Sequence, residues 1–132
     1  MVDPGEILAG QPFAVLLGLE AAEATAAEVR VRMAWLAERC TAQGILHGGA
    51  LMSLADATGA TLAVLNLPEG AWTSTIESKT NFFRAVREGY VEATARPLHV
   101  GRTTIVVQTD LRDAEGRRVA QTTQTQAVLL PG

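Results

Sequence analysis

Between Gly48 and Pro68 the chain carries one ionisable side chain, Asp56, and the run opens with His47-Gly48-Gly49. A carboxylate set in a small-residue, apolar stretch is costly unless it is paired or put to use. Two glycines directly before a helix let bare backbone N–H groups face a ligand. The combination offers a cradle for an anion or a carbonyl oxygen and, two turns further on, a carboxylate able to act as base or nucleophile.

Those groups need a helix to hold them, and the pattern predicts one over 49–67. Leu51, Leu54, Ala55, Thr58, Leu62 and Leu65 recur at helical spacing, but small apolar residues also occupy the other faces. A helix apolar nearly all round is a central, buried one. Its length would also suit a membrane span. Asp56, Ser53, Thr58, Thr61, Asn66, a central Gly59 and the absence of a basic flank argue against that reading. Leu67-Pro68-Glu69-Gly70 ends the helix.

Around it the chain reads mostly as strands. A short helix is expected over 13–17. Residues 27–33 alternate apolar and polar, as a half-buried strand does. Residues 38–46 are irregular, with Gly44 suited to a turn. Strands are predicted over 73–78, 80–84, 90–98, 103–112 and 117–129. Asp113-Ala114-Glu115-Gly116 makes a turn that would pair the last two as a hairpin. Long amphipathic strands need cover on one face, and the one long helix supplies it. The expected fold is α+β, an antiparallel sheet curled around a single central helix, in a single domain over residues 1–132.

Composition narrows the class of partner. The chain has 132 residues, 48% of them apolar and 19% charged, against a usual quarter charged. Such a surface favours burial in an oligomer. Net charge is −3 with no basic stripe, and aromatics make up 5%, which excludes a nucleic-acid reader. The single cysteine, Cys40, forms no internal disulfide and agrees with a reducing cytoplasm. Met1-Val2-Asp3-Pro4-Gly5-Glu6 lacks the basic start and apolar core of a signal peptide, so a cytoplasmic location is expected.

Three blocks, in this order, carry a resemblance. His47-Gly48-Gly49 with Asp56 further along the helix comes first. Thr75-Ile76-Glu77-Ser78-Lys79-Thr80-Asn81-Phe82-Phe83-Arg84 follows. His99-Val100-Gly101-Arg102, ahead of the hairpin with its turn at Asp113 to Gly116, is third. Over residues 11–130 the chain resembles the hotdog-fold acyl-CoA thioesterases of the PaaI-like group. The resemblance implies two subunits joining their sheets into a homodimer, often paired again as a tetramer. It puts the active site at the subunit interface, where the helix start of one copy faces the acidic residue of the other. No metal and no cofactor are implied, and the partner is the acyl-CoA substrate, with an aromatic or medium-length acyl group.

The resemblance also assigns roles. Asp56 is the nucleophile or the general base. The Gly48 N–H polarises the thioester carbonyl, with Gly49 beside it, and such a donor contributes about 3 kcal/mol to the transition state. His47 positions the thioester or fixes the loop, and no second ligand at metal spacing accompanies it. Thr75, or Ser74 one residue earlier, supplies a hydroxyl that orients the attacking water; strand alternation lets one of the two point inward. Arg84, Arg102 and Lys79 are the cations for the CoA phosphates. One departure stands out. Many relatives carry Asn or Gln three residues before the glycine that is Gly44 here, and this chain has Thr41. Thr offers no amide, and Gln43 lies two positions off the pattern.

Two other readings fit parts of the sequence. A non-catalytic acyl-CoA-binding domain would explain Thr41 but leaves Asp56 without a purpose. An acyl thioester dehydratase of the same fold needs a His paired with an acidic residue, whereas His47 precedes glycines at a helix start. A serine hydrolase is excluded by the absence of a Gly-x-Ser-x-Gly elbow.

Overall fold

The computed structural model describes residues 3–132; Met1 and Val2, the start of the segment read for a signal peptide, lie outside it. Two short helices open the chain, α1 (Pro4–Ala9) and α2 (Pro12–Leu16), each with proline in its first turn, where a missing N–H costs nothing. Asp3 caps α1 by accepting from Gly5 N at 3.0 Å. Strands β1 (Glu20–Ala24) and β2 (Val29–Ala34) follow, joined by a turn in which the Thr25 hydroxyl accepts from the Ala27 and Glu28 amides. Two single 3₁₀ turns lead to the central helix α3 (Gly48–Leu65). The remainder is β3 (Trp72–Phe82), β4 (Tyr90–Val100), β5 (Thr104–Asp113) and β6 (Arg118–Leu129).

The strands form one six-stranded antiparallel sheet in the order β1-β2-β4-β5-β6-β3, with α3 packed on its inner face. Alternation decides what faces the helix. On β5, Ile105, Val107, Thr109 and Leu111 are fully buried while the residues between them are half-buried. On α3, Leu54 and Leu62 are fully buried, and Ala55, Gly59 and Ala63 let the sheet come close. The helix is long and apolar enough to cross a membrane, but nine of its residues are buried, and it forms the core of the sheet. It ends where Asn66 turns its amide back onto the Leu62 carbonyl (2.9 Å) and across to that of Ala26 (2.8 Å).

The α+β architecture, the central helix and the β5–β6 hairpin match the sequence reading. α1 and β1 were not anticipated. The pair of strands expected over 73–78 and 80–84 is instead one strand with a bulge. Thr75 pairs with Gln126 and Glu77 with Thr125, leaving Ile76 as the extra residue. The bulge reverses which positions face α3. Thr73 and Thr75 do so before it, and Ser78 and Thr80 after it, opposite the buried Gln124 and Thr122.

Candidate active site

The start of α3 is shaped by contact on both sides of its two glycines. His47 caps the helix, its Nδ1 accepting from Gly49 N at 2.8 Å, so the ring proton lies on the exposed Nε2. A Cβ on Gly49 would come within 2.9 Å of that same Nδ1, and one on Gly48 within 3.2 Å of the Phe82 ring. A side chain at 49 would disturb the cap, and one at 48 would need the Phe82 ring to yield by a few tenths of an ångström. The loop is pinned by Leu46 N on Val86 O and His47 N on Arg39 O, each at 2.9 Å. Gly48 N, the first N–H of the helix, has no partner among the described residues and sits at the positive end of an 18-residue helix.

Asp56, half-buried, lies eight residues further on, about 12 Å along the axis. Its Oδ1 accepts two hydrogen bonds, from Thr75 Oγ1 and from Gln124 Nε2, both at 2.9 Å. Oδ2 has no partner among the described residues. Thr75 is itself held: Gln126 Nε2 donates to its oxygen at 2.7 Å, and Gln126 Oε1 (3.0 Å) and the Ala127 carbonyl (2.8 Å) share the one hydroxyl proton of Thr73. Because Gln126 donates to Thr75, the one hydroxyl proton of Thr75 goes to Asp56.

Asp56 borders a pocket of about 240 Å³. Its walls are Phe13, Ala14, Leu17, Leu19, Met52 and Ala57, with Gln11, Ser53 and Ser78 as polar points. A larger cleft of about 710 Å³ lies beyond the C-terminal end of β3, lined by Arg84, Arg87 and Arg117 with Glu88, Asp113 and Glu115. Arg117 is tied to Asp113 and Glu115, whereas Arg84 and Arg87 have no acidic partner among the described residues.

The structure joins some sequence-selected residues and separates others. Asp56 and Thr75 meet; Ser74 points away, in register with Ala127. His47, Gly48 and Gly49 form a second cluster, at the end of the fold that also carries Arg84. Lys79 lies on the opposite face of β3 from Thr75 and Ser78. Arg102, in the β4–β5 turn, is at the far end of the sheet. Arg84 N bonds Val119 O while Thr103 O accepts from Val128 N, nine residues along β6, so roughly 30 Å separates Arg84 from Arg102 in one chain. Thr41 and Gln43 are exposed in the loop before α3. Gln43 holds a left-handed backbone, φ 65°, the one non-glycine to do so among the described residues. Among those residues, no group of three His, Cys, Asp or Glu side chains could hold a metal ion.

Gln124, Gln126, Thr73 and Gly59 were missed. Two glutamines fully buried in one strand are a strong structural signal. In sequence the signal is hidden, because β6 is polar on both faces: Gln121, Thr123 and Thr125 alternate with Thr122, Gln124 and Gln126.

Comparison with known proteins places this geometry. The thioesterase superfamily model matches residues 43–120, a span that holds His47, Gly48, Gly49, Asp56 and Thr75, with Gln124 and Gln126 just beyond it. The chain belongs to the thioesterase superfamily, and its fold is the hotdog fold of that family. It is 41% identical over 85 residues to a protein of Vibrio cholerae serotype O1 named as an esterase; the match covers 64% of this chain and 57% of that one. It is 34% identical over 86 residues to the 1,4-dihydroxy-2-naphthoyl-CoA hydrolase of Escherichia coli, covering 65% of this chain and 63% of the relative. The match thus spans under two thirds of either relative's length. A variant thioesterase from Pseudomonas aeruginosa superposes with a TM-score of 0.91 at 28% identity, covering 98% of this chain and 95% of that one.

Proposed function

We propose that this chain is the subunit of an acyl-CoA thioesterase, cleaving an acyl-CoA with water to the free acid and CoA. The observation that carries the reading is the Asp56 carboxylate in the wall of an apolar pocket, with Oδ1 fixed by two donors and Oδ2 without a partner among the described residues. Such a group can attack the thioester carbon directly or take a proton from the water that does. Either way the C–S bond breaks, an acyl C–O bond forms, and CoA leaves as a thiolate that takes up a proton; in the direct route water then cleaves the Asp56–acyl anhydride, freeing the acid and restoring the carboxylate. The negative charge building on the carbonyl oxygen needs a donor, and the Gly48 N–H is of the right kind.

Within one chain that donor and Asp56 are about 12 Å apart, too far to act on one carbonyl carbon. The reading therefore requires two copies, with the helix start of one subunit facing Asp56 of the other. Strand β3 is the edge suited to join them. It carries Trp72, Ile76 and Phe82 exposed, with Phe83 just after it, whereas the other edge, β1, is short and bears Glu20 and Glu23. Pairing of two such dimers into a tetramer belongs to the same reading. The pocket has the size and lining for one aromatic or short aliphatic acyl group, in keeping with the aromatic acyl-CoA in the name of the Escherichia coli relative. Arg84, with Arg87 beside it, is the candidate for the CoA phosphates, and a CoA ester as substrate suits a cytoplasmic protein.

A panel of aromatic, short and long acyl-CoAs, read by release of the CoA thiol, tests the proposal. Turnover of an aromatic or short member, falling off for long chains, is the expected result. Tight binding of acyl-CoA with no release from any member would make the chain a binding domain instead.

A further inference from the structure

We infer that Gln124 is a positioning residue for the Asp56 carboxylate, and that Gly59 is glycine in order to admit it. The inference rests on Asp56 being the reacting carboxylate. Gln124 is fully buried on β6, and its side chain crosses to α3, where Nε2 donates to Asp56 Oδ1 at 2.9 Å. The amide can only lie this way round, since turning it over would set Oε1 against the carboxylate oxygen. Oε1 then has no hydrogen-bond partner, although it is shut off from solvent.

An unpaired buried amide oxygen is a standing cost, and a residue chosen for stability alone would not bear it. Gly59 shows how the side chain is admitted. A Cβ built on Gly59 would stand 2.0 Å from Oε1 and 2.6 Å from the amide carbon of Gln124. Any other residue at 59 would push Gln124 off Asp56. A glycine inside a helix costs up to about 1 kcal/mol against alanine. Two locally unfavourable choices, one on the helix and one on the strand, thus meet at a single hydrogen bond to the proposed reacting group.

The consequence for the reaction is geometric. Thr75 and Gln124 approach Oδ1 from β3 and β6, so two strands hold that oxygen, and with it the plane of the carboxylate, while Oδ2 keeps no partner among the described residues. Gln124 does not line that pocket, so its loss should change how Asp56 is aimed rather than how the acyl group binds.

The test uses the full-length protein and the acyl-CoA of the panel that wild type turns over fastest, with kcat, KM and Tm measured for each variant. Gln124→Met keeps the length of the side chain, removes the donor and also removes the orphaned oxygen. The expected result is a kcat lower by about 10- to 100-fold with KM within about twofold, and a Tm equal to or above wild type. A residue with a merely structural role would give the reverse, a lower Tm with kcat kept. Gly59→Ala should lower kcat similarly in the wild-type background. In a Gln124→Ala background, where the space is empty, it should lower kcat no further. An unchanged kcat in Gln124→Met, or a Gly59→Ala loss that is the same in both backgrounds, would overturn the inference while leaving Asp56 in place. Normal turnover by Asp56→Asn would instead remove the reading on which it rests.

Discussion

Thr75 and Ser78 lie three residues apart on β3, yet both face the Asp56 side of α3. Thr75 does so through its 2.9 Å hydrogen bond, and Ser78 as part of the wall of the same pocket. In a regular strand, positions three apart point to opposite faces. The bulge at Ile76 reverses the parity between them, so one strand supplies both the hydroxyl that binds the carboxylate and a residue of the pocket wall.

Thr75 is the hydroxyl whose loss is felt twice. Thr75→Val takes a donor from Asp56 and leaves the buried Gln126 amide without its acceptor, which costs about 1–3 kcal/mol. The variant should lose turnover by about 10- to 100-fold and show a lowered Tm. Thr75→Ser keeps both bonds and should stay near wild type in both. Steady-state CoA release and thermal melts check this, and full activity in the valine variant would contradict it.

At Gly48 the expected outcome is a rate effect with little change in stability. A methyl there meets the tip of the Phe82 ring at 3.2 Å, and that ring, half exposed, can give way. Alanine is also the better helix residue, by up to about 1 kcal/mol. Gly48→Ala should therefore melt near or above the wild-type temperature. Its turnover should fall, because the methyl crowds the N–H proposed to receive the carbonyl oxygen. A variant with full activity would detach this amide from the chemistry.

How much of this the sequence disclosed depends on how sharply each residue contrasts with its neighbours. Asp56 stands out because α3 is otherwise uncharged from Gly48 to Leu65, and β2 and β5 stand out by strict alternation. β1 has no such mark: Glu20-Ala21-Ala22-Glu23-Ala24 holds no β-branched or aromatic residue and is a strand only through pairing with β2. The Ile76 bulge carries no composition signal and read as a break near Lys79. Arg84 and Arg102 looked equivalent as free cations, and strand register alone put them at opposite ends of the sheet.

Asp113 offers a stability test away from the site. Burial pushes its carboxyl up, but hydrogen bonds from the Arg117 backbone and side chain and from the Glu115 amide outweigh that and hold it below its ordinary value. A carboxyl depressed in the folded state stabilises above its unfolded value of about 3.9, and that contribution fades as pH falls through the folded value. Asp113→Asn should thus lower Tm at neutral pH. The gap from wild type should stay constant down to about pH 5 and close below about pH 4. A gap independent of pH across that range would show that the charge of Asp113 contributes nothing.

The edge of β3 tests the need for two copies. Ile76→Lys puts a charge on the exposed apolar edge and should yield a folded monomer by light scattering, with CoA release lost. An active monomer would mean that one chain holds a complete site.

The most direct measurement is single-turnover release of the CoA thiol by Asp56→Asn beside wild type, with circular dichroism and light scattering confirming the same fold and assembly. Asparagine keeps an acceptor for Thr75 and Gln124 but can neither attack the thioester nor take a proton from water. The account predicts an intact, acyl-CoA-binding protein whose release step is slowed by at least about a hundredfold. Release at the wild-type rate would contradict it and put the chemistry elsewhere in the molecule.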